Sequence, residues 1–213
     1  MTEEQKETLR FYTTNQYLLL NGLLWGESDE KIDAFIRLIN EDGRGVMAEA
    51  VKQGFSVRWK CGEEEGKRLY RVYQRRFPVL DGQGTKDRIL ETARRDISNL
   101  FAALAPLETE MVLYRNIKTR YAERLKEGTT FSHLGFSSCS LSPHVAENAE
   151  YGSSGCRLAE IVVPSGFPAI RLDLMPDVQN EPDEVILAPA EYSVSAIDPE
   201  SGKLFLTCVK PLN

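Results

Sequence analysis

The chain has 213 residues, of which 42% are hydrophobic and 27% charged, and a net charge of −6 at pH 7. Those values fit one globular domain, in two lobes at most, with enough apolar mass for a real core. They exclude a general nucleic-acid binder, which needs a basic surface, and no apolar run is long enough to span a membrane. The first ten residues are acidic and polar, without the basic and apolar regions of a cleavable signal peptide. The expected location is therefore the cytoplasm, or delivery or secretion without such a peptide.

The first half of the chain carries helical patterns. Residues 3–24 hold good helix formers and an apolar stripe through Leu9, Tyr12, Leu20 and Leu23, ended by Gly26. Ser28 can cap a second helix, with Asp29 and Glu30 in its first turn and Ile32, Phe35, Ile36 and Ile39 at helical spacing. Asp42-Gly43 stops it. Further helices are predicted over 45–53 and 63–76, the latter broken by Pro78 and Asp81-Gly82. The basic run from Lys67 to Arg76 follows Glu63 and Glu64 at helix-pair spacing and reads as a solvated face. Thr85 opens a long helix with Ile89, Ala93, Ile97, Leu100, Phe101 and Leu104 in its stripe, and Pro106 follows it.

After Glu110 the pattern changes to short, β-branched runs punctuated by Pro and Gly. Strands are predicted at 111–115, 157–163, 169–172, 184–188, 192–197 and 203–209, with a hairpin loop at 198–202. Ser142-Pro143 is a helix start, with proline at the first helical position, and Gly152 is its stop. The fold class is α+β: a helical lobe over residues 1–106 packed on an antiparallel β core over 107–213, together one domain. Cys61, Cys139, Cys156 and Cys208 are widely spaced and only His133 and His144 could join them, so no metal site is expected and the thiols read as reduced. Both histidines read as structural or surface residues.

Three separated motifs carry chemistry. Val112-Leu113-Tyr114-Arg115 ends an apolar run on an arginine, Gly135-Phe136-Ser137-Ser138-Cys139-Ser140 places serines after an aromatic, and Glu184-Val185-Ile186-Leu187 opens an apolar run with a glutamate. In that order they resemble the arginine–serine–glutamate signature of mono-ADP-ribosyltransferases, in their bacterial exoenzyme and toxin-like branch. Flanking segments resemble the family as well. Leu9 to Asn21 is similar to its early helix, Ile97 to Arg115 to the helix leading into the arginine strand, and Ser140 to Ala146 to the continuation of the serine motif. Two positions depart from the pattern. Cys139 stands where threonine is usual, and Pro182 stands where a glutamate or glutamine two residues before the catalytic glutamate helps choose the acceptor.

The resemblance implies a two-sheet β core, NAD as donor substrate without a metal, and nicotinamide as the leaving group. It gives Glu184 the role of facing the positive charge that grows on the ribose, a role suited to a carboxylate. Ser138 would orient Glu184 and Ser140 would support the motif. Arg115 would hold the dinucleotide, since a guanidinium makes planar charge-assisted bonds. The backbone of Asn116 would grip the nicotinamide amide, Phe136 would wall it, and Tyr12 and Tyr17 would lie near the NAD. Residues 173–183 would face the target, with Glu181 and Asp183 as candidates for acceptor contact and Glu181 the better one. Each residue also has a plain reading: turn serine, surface arginine, exposed strand-start glutamate, core aromatic. The implied function is a toxin or effector that transfers ADP-ribose to a protein acceptor, with an immunity or inhibitor protein as a second partner. The alternatives are an NAD glycohydrolase and a non-catalytic NAD-binding interaction module. The joint presence of Arg115, Ser138 and Glu184 argues against the last.

Overall fold

Thr2 starts the first helix with a reciprocal cap. The Gln5 amide donates to Thr2 Oγ1 (3.2 Å) and the Thr2 amide to Gln5 Oε1 (2.8 Å), while Glu3 and Glu4 sit at the positive end of α1, Glu3–Phe11. The structure is a computed structural model that describes residues 1–13, 17–33, 85–148, 155–175, 177–178 and 183–212. The helices predicted over 45–53 and 63–76, most of the second helix, the basic run from Lys67, the stop at Gly152, Glu181 and Pro182 lie outside these residues. The chain divides into two compact units, Met1–Leu100 and Phe101–Asn213.

In the first unit the helix expected over 3–24 is two helices, α1 and α2 (Tyr17–Leu24), and the backbone widens to a π-type turn at Tyr12–Thr13. A spacing of five residues suits that wider turn. The rings of Tyr12 and Tyr17 meet edge to face at 6.3 Å. Gly26 ends α2 with a left-handed φ of 67°. The next helical turn starts at Asp29, where the Ser28 carbonyl accepts from the amides of Lys31 and Ile32. The long helix α3, Thr85–Ala103, buries Ile89, Ala93 and Leu100. It also buries Asp96, whose Oδ1 accepts from Thr8 Oγ1 at 3.1 Å, and Asn99 Nδ2 donates to the same hydroxyl at 3.2 Å. A buried carboxylate is tolerated only with such partners, so this network pins α1 to α3.

The second unit holds the strands. They are β1 (Ala105–Pro106), β2 (Met111–Lys118), β3 (Thr130–His133), β4 (Ser137–Ser140), β5 (Cys156–Val163), β6 (Pro168–Arg171), β7 (Glu184–Leu187), β8 (Ala190–Ile197) and β9 (Leu204–Pro211). Two short helices interrupt them, α4 (Thr119–Ala122) and α5 (Pro143–Asn148). The strand order is β1-β6-β7-β4-β2-β5-β9-β8-β3, antiparallel throughout except for β5 beside β9.

One rung decides the architecture. β2 pairs with β5 along all of Met111–Lys118, yet meets β4 only at Tyr114↔Ser140. The sheet is thus two half-sheets, β1-β6-β7-β4 and β2-β5-β9-β8-β3, joined at a single pair. The two-sheet core expected from the resemblance takes this form. Alternation along each strand sends Leu113, Ile161 and Leu206 from one half, and Cys139, Val185 and Leu187 from the other, into one buried cluster.

The β8–β9 hairpin is fixed by turn chemistry. Asp198 Oδ1 accepts from the amides of Glu200 and Ser201, both at 2.8 Å, and Gly202 closes the turn with a φ of 69°. Those two amides hold the exposed Asp198 carboxyl below its ordinary range. Among the described residues no helix is long and apolar enough to cross a membrane.

Candidate active site at the split between β2 and β4

Glu184 is the first residue of β7, a strand hydrogen-bonded on both sides, to β4 and to β6. Its side chain is buried, with 7% of the residue exposed. Directly opposite it on β4 stands Ser140, also buried. The amide of Leu141 donates to the carbonyl of Asp183 at 3.0 Å, one rung further out. Hydrogen-bonded pairs alternate, so Ser140 and Glu184 form the intervening close pair, with Cα atoms roughly 4.5 Å apart. Ser138 lies two residues along β4 on the same face, the diagonal neighbour of Glu184, and is exposed. Ser140 Oγ accepts from the Ser142 amide (3.0 Å), and Ser142 Oγ accepts from the Val145 amide (3.4 Å). The serine motif therefore runs straight into α5, with Pro143 at its first position.

The rung pattern also orients the backbone at the split. If Cys139 and Leu141 bond toward β7, the amides and carbonyls of Ser138 and Ser140 face β2. β2 answers at Tyr114 and nowhere else. Asn116, two residues beyond, turns its backbone to the same side, where the ladder has ended. Its side-chain Nδ2 donates to the Ala146 carbonyl and anchors α5 over β2.

Arg115 leaves β2 on the other face. Tyr114 shares a face with Ser140 and Glu184, so Arg115 joins Leu113 and Ala159 on the core side. The register thus brings Ser138, Ser140 and Glu184 together and sets Arg115 across the sheet from them, at the edge of the split. Arg115 Nε is buried without a hydrogen-bond partner. Its charge acts on His133, Cys139 and Tyr192. Burial, with Arg115 adding to it, lowers His133 from 6.5 to about 3, so the imidazole is neutral beside the guanidinium. Burial raises Cys139 to about 11, with Arg115 opposing and Glu184 adding to the shift. Burial likewise pushes the Tyr192 phenol well above its ordinary range, and its hydroxyl donates to Ser137 Oγ at 3.5 Å.

Phe136 is 1% exposed and packs against Phe101 with ring centres 5.0 Å apart, as a core residue does. Tyr12 and Tyr17 belong to the first unit and meet each other there. Asp183 is exposed and Glu181 lies outside the described residues. His144 is exposed on α5. His133 is the neighbour that sequence reasoning passed over: one histidine ending a strand carries no pattern that ties it to an arginine on another strand. Cys139 and Cys208 are free, buried thiols. No cluster of three or more His, Cys, Asp or Glu side chains placed to hold a metal occurs among the described residues.

No protein-family model matches the chain, and no curated protein matches it. Solved structures do. The catalytic domain of VahC from Aeromonas hydrophila is 14% identical, with a TM-score of 0.50 over 98% of this chain and 100% of that one. Plx2a, an ADP-ribosyltransferase toxin from Paenibacillus larvae, is 15% identical, with a TM-score of 0.48 over 99% of this chain and 88% of that one. The Vis toxin, an ADP-ribosyltransferase from Vibrio splendidus, is 15% identical, with a TM-score of 0.43 over 100% of this chain and 75% of that one. At these identities the likeness is one of fold alone. The α+β architecture with a large, mostly antiparallel sheet is that of the VahC domain. It is also the fold that the sequence resemblance leads one to expect.

Proposed function

We propose that this protein is a mono-ADP-ribosyltransferase of the toxin or effector type, which cleaves NAD at the nicotinamide–ribose bond and transfers ADP-ribose to a protein acceptor. The observation that carries this reading is the Ser140↔Glu184 pair with Ser138 on the same face, set where the two half-sheets part. Glu184 faces Ser140 at the start of β7, a strand that β6 also pairs from Val185 onward, so its carboxylate needs little reorganisation to face positive charge developing at the ribose. Preorganisation of that kind is the main source of electrostatic catalysis. Ser140 stands opposite Glu184 and Ser138 diagonal to it on the same face, where serine hydroxyls suit the task of orienting the carboxylate. The backbone of Asn116, beyond the end of the ladder, offers a donor and an acceptor to the nicotinamide amide. Arg115 fits a dinucleotide phosphate, since its buried Nε lacks a partner at the edge of the split.

Measurement of nicotinamide release from NAD, with and without cell lysate, tests the reading. Glu184→Gln keeps the size of the side chain and removes its charge. It should lower turnover on the order of a hundredfold or more with the fold intact. Wild-type turnover in a folded Glu184→Gln protein would sink the assignment. Equal release with and without lysate, with no protein labelled by a tagged NAD, would identify water as the acceptor and the protein as a glycohydrolase.

A further inference from the structure

Asp183 is the non-glycine residue with a left-handed backbone among the described residues, at φ 60°, and it immediately precedes Glu184. An L-residue adopts that conformation at a cost, and Asp and Asn are the side chains that tolerate it best. Asp183 is exposed, so packing does not choose its side chain. Its backbone does have a defined task. The Asp183 carbonyl accepts from the Leu141 amide at 3.0 Å, the last rung between β7 and β4. The next rung inward holds Ser140 opposite Glu184. The left-handed residue lets the chain turn into β7 while keeping its carbonyl aimed at β4. An extended backbone at this position would swing that carbonyl away and free the end of the strand on which Glu184 stands.

We infer that Asp183 is a positioning residue for Glu184, acting through its backbone conformation rather than through its carboxylate. The inference rests on the reading of Glu184 as the reacting carboxylate.

The test compares Asp183→Val, Asp183→Ala, Asp183→Asn and Asp183→Gly in the full chain. Two readouts are taken: steady-state nicotinamide release from NAD without added acceptor, and hydrogen exchange at the Leu141 amide. Asp183→Val should lower kcat on the order of tenfold to a hundredfold, the effect of a small misplacement of a reacting group, with KM for NAD changed less than about threefold. Asp183→Ala, which lacks β-branching and keeps the fold if Asp183→Val does not, should fall between it and wild type. Asp183→Asn and Asp183→Gly should recover most of the lost kcat, and Leu141 should be protected in both but not in Asp183→Val. Wild-type kcat with a protected Leu141 in both Asp183→Val and Asp183→Ala would overturn the inference. So would an Asp183→Gly protein as slow as Asp183→Val, which would make the carboxylate the actor. If the wild type itself releases no nicotinamide, the functional reading fails separately. Leu141 protection, lost in Asp183→Val and kept in Asp183→Gly, then still decides whether residue 183 fixes the strand.

Discussion

His133 should make the protein lose stability in mild acid, over a range where carboxylates are still ionised. Its imidazole ends β3 beside Arg115, and burial followed by the guanidinium lowers it to about 3, while a hydrogen bond with the Phe136 backbone pulls the other way. The unfolded chain holds the same group near 6.5. The folded value is the depressed one, so its contribution is fully present above 6.5. Below that pH the unfolded state takes up a proton that the folded state refuses. Stability then falls by about 1.4 kcal/mol per pH unit until the pH approaches the folded value. Between pH 7 and pH 5 the loss is about 2 kcal/mol, a large part of the margin of a small domain. His133→Gln keeps a hydrogen-bonding side chain and cannot titrate. Urea denaturation at pH 7, 6 and 5, followed by circular dichroism, should show the wild type losing stability relative to His133→Gln by that amount. Parallel pH dependence of the two proteins would refute the reasoning and mean that the imidazole takes its proton as readily as in water.

Arg115→Lys should weaken NAD binding about tenfold or more, because an ammonium cannot reproduce a two-pronged guanidinium contact. Calorimetric titration checks it, and unchanged affinity in a folded variant would make Arg115 a structural charge. Cys139 and Cys208, raised by burial to about 11 and about 12, should resist Ellman's reagent at pH 8, while the half-buried Cys156 reacts first. Rapid modification of Cys139 or Cys208 in a native Cys61→Ser protein would contradict their burial.

The legible parts of the fold were those with a strong period or a strong stop. The stripe of α3, the proline start of α5, the apolar runs of β5 and β7 and the Asp198–Gly202 loop all carry local signals, and the structure has each of them. β3 and β4 carried none. Ser137–Ser140 is a polar run that becomes a strand only because β7 and, at one residue, β2 pair with it. β2 extends to Lys118, past the predicted end at Arg115, because β5 continues opposite it. The end of α1 at Phe11 was hidden for the opposite reason. The periodicity runs on past it, while the backbone widens to a π-type turn at Tyr12–Thr13. Within the site, Glu184 and the serines were readable as types in order. The face on which each one lies was not, since faces follow from register and register is a tertiary property.

That distinction matters most for Arg115. A motif list places Arg115, Ser138 and Glu184 side by side, whereas the ladder sends Arg115 into the core side and the other two to the opposite side. The sheet parts beside all three, at the single rung Tyr114↔Ser140. Where a sheet is continuous, opposite faces are insulated from each other by the backbone. Where it parts, a residue at the edge can act on both sides of the opening. Cys139 sits between Ser138 and Ser140 on β4 and points to the core, and burial raises its thiol, with Arg115 opposing and Glu184 adding to the shift. It is also the position where the signature that the sequence resembles usually has threonine. A buried thiol can occupy it without adding a third charge, because burial holds it protonated between them.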